Sequence, residues 1–312
     1  MPLDIKIQMS CRRIRDWVEY WEGDCYISFS GGKDSTVLVD LIRNKCGYDD
    51  IPIVFIDTGL EYPEVREFAT SRADEVLRPK MTFVEVIKKY GYPIVSKENA
   101  RKIYEVKNTK SEKMRNLRLY GCEKGNMGRL PFKWRFLLDA PFDVSSYCCD
   151  VMKKRTVKQY EKRTKFKPFV GTLAEESLLR KNSWIRQGCN AFLSSCPIST
   201  PLAFWTEQDI LKYIAENNLE IAEVYGDVIK DEDGRYITSG VNRTGCVFCG
   251  FGCHLEKEPN RFQQLAETHP KLYNYCINGG EYNEDGKWQP NSKGLGLGKV
   301  LDYIGVDYKP KN

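Results

Sequence analysis

Residues 28–36 read SFSGGKDST directly after the apolar run CYI, and they hold the residue types of an anion site. Gly31 and Gly32 let the backbone turn sharply and bring N–H groups close to one point. Ser30 and Ser35 add hydroxyl donors and Lys33 a cation, and a helix beginning near Asp34 adds its positive end. The pattern is not GxxxxGK(S/T), because Lys33 follows the glycine pair directly, and it is not GxGxxG. An ordinary Gly-Gly turn would leave the flanking Ser, Lys and Ser without a purpose.

The second group able to do chemistry is thiol. Cys246-Val-Phe-Cys249-Gly-Phe-Gly-Cys253 is CxxCxxxC in a glycine-rich stretch, and the adjacent pair Cys148-Cys149 lies almost a hundred residues upstream. A CxxC puts two thiolates on one tight loop, the usual start of a zinc or iron–sulfur site. A zinc ribbon brings two separated CxxC knuckles, and adjacent cysteines make an awkward one, so iron–sulfur is preferred with zinc as the competing reading. Twelve cysteines are many for a reducing compartment and point to metal or thiol chemistry. Cys25, Cys46, Cys189 and Cys196 read as small apolar residues, and Cys11 and Cys122 have no clear role. The two histidines, His254 and His269, do not stand four residues apart, so HExxH zinc hydrolysis is excluded.

The elements that must hold these groups follow from periodicity. CRRIRDWVEYWE has helical spacing, DCYISF reads as a strand, and DSTVLVDLIRN follows the glycine turn as a helix. IPIVFIDT suits a buried parallel strand, Pro63 opens the next helix, and MTFVEVI is a third strand candidate. KPFVGTL at 167–173 is another buried strand, and helices start in ESLLRKNSW and after the turn in PLAFWTEQDILKYIAENN. This rhythm predicts an α/β fold with a doubly wound, mostly parallel sheet. The expected division is a nucleotide-binding α/β domain over 1–240 and a cysteine-rich C-terminal extension over 241–312, with its glycine-rich tail loop-like. The chain has 312 residues, 41% of them hydrophobic, enough for a packed core. No window holds the roughly 18 apolar residues of a membrane helix, and the first residues lack a signal-peptide core, so a soluble, cytoplasmic protein without a membrane partner is expected. A net charge of +5 fits an anionic substrate as well as nucleic acid. The basic stretches at 107–118 and 153–167 read as solvated helix faces when taken singly, with phosphate contact as the alternative.

SGGKDS after a strand resembles the PP-loop of the N-type ATP pyrophosphatase superfamily, with its adenine nucleotide alpha hydrolase-like, Rossmann-like fold. Phe55-Ile56-Asp57-Thr58-Gly59, Cys148-Cys149 with Lys153-Lys154, Gly171 to Arg180 and Pro201 to Ile214 resemble its phosphoadenosine phosphosulfate (PAPS) reductase branch. The resemblance implies that Ser28, Ser30, Gly31, Gly32, Lys33, Asp34 and Ser35 cradle the phosphates of ATP or another adenosine nucleotide. It places Asp57, Thr58 and Gly59 near the nucleotide, and Glu175, Glu176, Ser177 and Arg180 in the same cleft. Lys33, Asp34 and Asp57 are the catalytic candidates, and an acid at such a strand end holds Mg²⁺ or a ribose hydroxyl. Iron–sulfur members of the branch imply a 4Fe-4S cluster on Cys148, Cys149, Cys246 and Cys249, with Cys253 or Cys276 as a replacement.

Two features depart from sulfonucleotide reductases: Leu173 stands where the branch tends to place an arginine, and no cysteine follows Cys276. The expected function is therefore cleavage of ATP to AMP and pyrophosphate, adenylating an acceptor for a sulfur-transfer type reaction. The acceptor is a nucleic acid or protein, and the partner a sulfur donor or thioredoxin-like protein. The alternatives are a PAPS or APS reductase and a non-catalytic nucleotide- and cluster-binding regulator.

Overall fold

The computed structural model describes residues 1–122 and 125–310. The run CYISF, with two aromatic rings and a β-branched side chain, forms the central strand β1 (Cys25–Phe29). On one side lie β2 (Ile53–Ile56) and β3 (Glu75–Leu77), and on the other β4 (Lys167–Val170), β5 (Asn190–Ala191) and β6 (Ile198–Ser199). The sheet order is β3-β2-β1-β4-β6-β5, parallel throughout except at the β5–β6 edge. After β1 the chain builds one half of the sheet and then crosses to the other, so the end of β1 is a switch point, where such sheets open a crevice.

Side chains alternate along β1 as a strand requires. Cys25, Ile27 and Phe29 join the main core, with Ile14 and Trp17 of α1 (Leu3–Tyr20), Val37 and Leu38 of α2 (Lys33–Asp40) and Val65 and Phe68 of α3 (Pro63–Arg72). Tyr26 points the other way and packs with Val54 and Tyr160. Both faces are therefore covered, as parallel sheets demand. This is the doubly wound, mostly parallel α/β sheet that the sequence rhythm predicts.

The expected third strand in MTFVEVI is instead a helix, Phe83–Tyr90, and the strand lies earlier, at Glu75–Leu77. Thr82 and Glu85 form a reciprocal capping box, and Phe83, Val86 and Ile87 are buried at helical spacing. The tail is likewise ordered: Glu281–Tyr282 pairs with Trp288–Gln289, and a helix spans Leu297–Tyr303 with Leu297, Val300 and Leu301 buried.

Two compact units divide the chain, Met1–Pro79 with Thr156–Cys246, and Lys80–Arg155 with Val247–Asn312. The first contains the six-stranded sheet. The second differs from the single boundary at 240 expected from the sequence, because residues 80–155 pack with the C-terminal segment. Ile94–Val95 pairs in parallel with Gly250–Phe251, the Tyr92 hydroxyl donates to the Leu295 carbonyl at 2.8 Å, and Trp288 N–H donates to the Pro141 carbonyl at 2.6 Å. No helix among the described residues is long and apolar enough to cross a membrane.

Candidate functional site

The loop after β1 is held by its own side chains. Ser30 N–H donates to Ser35 Oγ at 3.3 Å, the two hydroxyls lie 3.1 Å apart, and Ser35 donates to the Gly32 carbonyl at 2.9 Å. Gly32 N–H turns back onto Ser30 Oγ at 3.3 Å and caps α2. Gly31 has φ +72°, and a Cβ there would stand 2.8 Å from the Val65 carbonyl of α3, so only glycine fits. Gly171, at the end of β4, brings that backbone against the start of α2: its Cβ would lie 3.0 Å from the Asp34 carbonyl.

Lys33 is buried and its ammonium is shared by Glu207 Oε1 at 2.7 Å and the Asn242 carbonyl at 2.5 Å. Its charge lies 5.7 Å from the Tyr225 ring centroid, and the Tyr225 hydroxyl meets Thr244 Oγ1 at 2.5 Å. Burial pushes the Asp34 carboxyl above the usual carboxylate range, with Lys33, Arg243 and Arg180 opposing. Asp34 Oδ1 is buried with no hydrogen-bond partner among the described residues. Glu176 takes both Arg180 and Arg243, so two guanidinium groups converge on one carboxylate. Ser177 caps the helix Leu178–Gln187 through Arg180 N–H, and Glu175 accepts Glu207 N–H at 2.5 Å.

Ser28 lies within β1, beside Val54 and Val170. At the end of β2, Asp57 receives a bidentate pair from Arg66 at 2.8 and 2.7 Å, and Arg78 reaches Oδ2 at 3.4 Å. Burial alone would raise the Asp57 carboxyl, but these arginines hold it below the usual range. Thr58 is engaged by Glu61, its hydroxyl donating at 2.7 Å, and Gly59 N–H donates to Asp57 Oδ1 at 3.2 Å. Thus α3 serves the ends of two neighbouring parallel strands: Val65 abuts the glycine loop after β1, and Arg66 secures Asp57 after β2. Leu173 is buried, as the replacement of an expected arginine implies.

Glu207, Tyr225, Asn242, Arg243 and Thr244 escape a reading of the sequence. The Lys33 partners lie 174 and 209 residues away in the chain, and no local spacing links them. A usable hint is the polar run Asn242-Arg243-Thr244, placed just before the CxxC and outside any helix or strand.

Among the cysteines, Cys148, Cys149, Cys249 and Cys253 belong to the second unit, whereas Cys246 closes the first. Cys148 donates to Cys149 Sγ at 4.0 Å. That hydrogen bond, with the ammonium groups of Lys97 and Lys153, pulls the Cys149 thiol down to about 5 against the effect of burial. Burial pushes Cys249 up and Cys253 to about 11, and the Cys253 thiol donates to the Gly250 carbonyl at 3.0 Å. Among the described residues, no three His, Cys, Asp or Glu side chains gather tightly enough to hold one metal ion. The cysteines offer an all-sulfur donor set, which zinc and iron–sulfur clusters both take. Cys276 is fully buried, and its thiol is held far above the ordinary range.

The family model for the phosphoadenosine phosphosulfate reductase domain matches residues 24–121 and 94–250, and the chain belongs to that family. Two proteins of Methanocaldococcus jannaschii are similar to it. Uncharacterized protein MJ0973 is 25% identical over 258 residues, covering 80% of this chain and 46% of that protein. Uncharacterized protein MJ0066 is 22% identical over 252 residues, with 79% and 39% covered. The chain thus spans less than half the length of these curated relatives. A solved phosphoadenylyl-sulfate reductase from Candida auris, in a phosphate complex, is 16% identical with a TM-score of 0.39, covering 75% of this chain and 95% of that one.

Proposed function

We propose that the loop Ser30–Ser35 binds the phosphates of ATP and that the chain is an adenylyl-transfer enzyme with an iron–sulfur cluster. One observation carries the reading: a self-braced glycine turn at the switch point of a parallel sheet, with buried Lys33 at its mouth, in a PAPS reductase family chain. An acceptor oxygen attacks the α-phosphorus, the bond to the bridging oxygen breaks, and pyrophosphate leaves with the electron pair. A sulfur nucleophile from a donor partner then displaces AMP from the adenylated acceptor.

Loop N–H groups and Lys33 stabilise the charge that develops on the phosphates, as preorganised donors do. Phosphate oxygens replace Glu207 as the partner of the Lys33 ammonium. Arg180 and Arg243, held on Glu176, supply the cationic clamp that Leu173 does not. Both Asp57 oxygens are taken by arginines and Asp34 Oδ1 has no hydrogen-bond partner among the described residues, so Asp34 would hold an Mg²⁺ ion, which would offset phosphate charge when bound. Cys148, Cys149, Cys249 and Cys253, all of the second unit, would hold the cluster, which would supply electron transfer or sulfur-handling chemistry when bound.

Purified anaerobic protein should convert ATP to AMP and pyrophosphate in the presence of an acceptor and a sulfur donor, and Lys33→Ala should abolish the conversion. Sulfite release from PAPS or APS with thioredoxin would establish the reductase reading instead. The deep burial of Cys276 speaks against it, because attack requires an accessible thiolate. Tight ATP binding without either reaction would mark a regulatory protein.

A further inference from the structure

Residues 107–136 hold nine Lys or Arg side chains against two Asp or Glu. That excess is larger than the net charge of +5 on the whole chain, so the rest of the protein is net acidic. Within this segment the helix Glu112–Tyr120 has no buried residue. Large rings stand exposed beside the charges: Tyr120 is 68% exposed and Phe132 80%, with Phe136 at 41%. So exposed a phenylalanine contributes nothing to a core.

The platform is nevertheless braced. Leu130 N–H donates to the Arg118 carbonyl at 2.7 Å, Arg118 Nη1 to the Gly128 carbonyl at 3.1 Å, and Lys102 Nζ to the Arg129 carbonyl at 3.0 Å. Arg135 binds the Leu119 carbonyl and lies 5.6 Å from the Phe132 ring centroid, which ties the two exposed rings to one patch. Arg118 and Arg135 thus serve the fold, while Lys110, Lys113 and Lys133 are exposed and form no ion pair among the described residues.

We propose that this face of the second unit binds single-stranded nucleic acid, with Tyr120 and Phe132 stacking on bases and Lys110, Lys113 and Lys133 contacting phosphates. Aromatic platforms interleaved with cations are the means by which single strands are held without sequence readout. Exposed rings are of use only against unstacked bases, which disfavours duplex. The inference stands on the second unit alone and does not depend on the ATP reading.

Fluorescence anisotropy of the full chain with a labelled 20-nucleotide oligo(U) or oligo(dT) tests it, beside a duplex of equal length and vesicles of phosphatidylcholine and phosphatidylserine. The expected result is salt-dependent binding to the single strands. Phe132→Ala and Tyr120→Ala should each weaken it about five-fold or more at an unchanged salt slope. Lys113→Ala with Lys133→Ala should flatten the slope. Unaltered circular dichroism of each variant secures the comparison. Equal or tighter binding to duplex or to anionic vesicles, no binding at 50 mM salt, or wild-type affinity in Phe132→Ala would overturn the proposal.

Discussion

The glycine loop and the cysteine group are built in opposite ways. The loop is closed within six consecutive residues by hydrogen bonds that Ser30, Gly32 and Ser35 make with one another. The thiols come from two segments about a hundred residues apart, and within one of them Cys148 donates to Cys149 Sγ. A site whose donors are local forms as soon as its strand and helix do. A site whose donors are distant needs the tertiary fold and, for metal ligands, the metal itself, since ligand binding and local ordering are coupled.

The largest effects should come from separating the two. Lys33→Ala is expected to weaken ATP binding tenfold or more, about 1.4 kcal/mol by calorimetry, and to leave intact the broad absorbance near ~400 nm that the proposed cluster would give anaerobic protein. Cys149→Ser should do the reverse. If each variant lost both properties, the two sites would not be separable and the contrast would fail. Gly31→Ala comes next. Its backbone and the nearby Val65 carbonyl leave no room, so a thermal melt should show a loss of about 1–3 kcal/mol together with weaker ATP binding.

Arg66→Ala sharpens the comparison at the end of β2. Asp57 is held below the usual carboxylate range, so its pairing stabilises the protein above an unfolded value of about 3.9 and is lost as pH falls through the lower folded value. The variant should be less stable by about 1–2 kcal/mol at neutral pH. The gap to wild type should close below about pH 4 in acid denaturation. Ser35→Ala should have the smallest effect, about 1 kcal/mol for two lost neutral hydrogen bonds, with ATP affinity reduced a few-fold.

Local chemistry was readable where neighbours in sequence are neighbours in space. SFSGGKDST announces a turn between strand and helix because Gly31 must take a positive φ and the hydroxyls reach only a few residues. The parallel sheet was legible from buried β-branched runs alternating with helical spacing. MTFVEVI was misread because its apolar content suits either element, and the deciding signal was the Thr82–Glu85 cap.

By itself, then, the sequence determined the glycine turn between strand and helix, the class of sheet and the supply of thiols. Tertiary structure alone decided that Lys33 rests between Glu207 and Asn242, and that Arg243 joins Arg180 on Glu176. It also decided that residues 80–155 pack with the C-terminal segment. The reason is physical: such pairings close chain loops of as many as 209 residues, and their geometry is set by packing of the sheet and its helices rather than by any spacing along the chain.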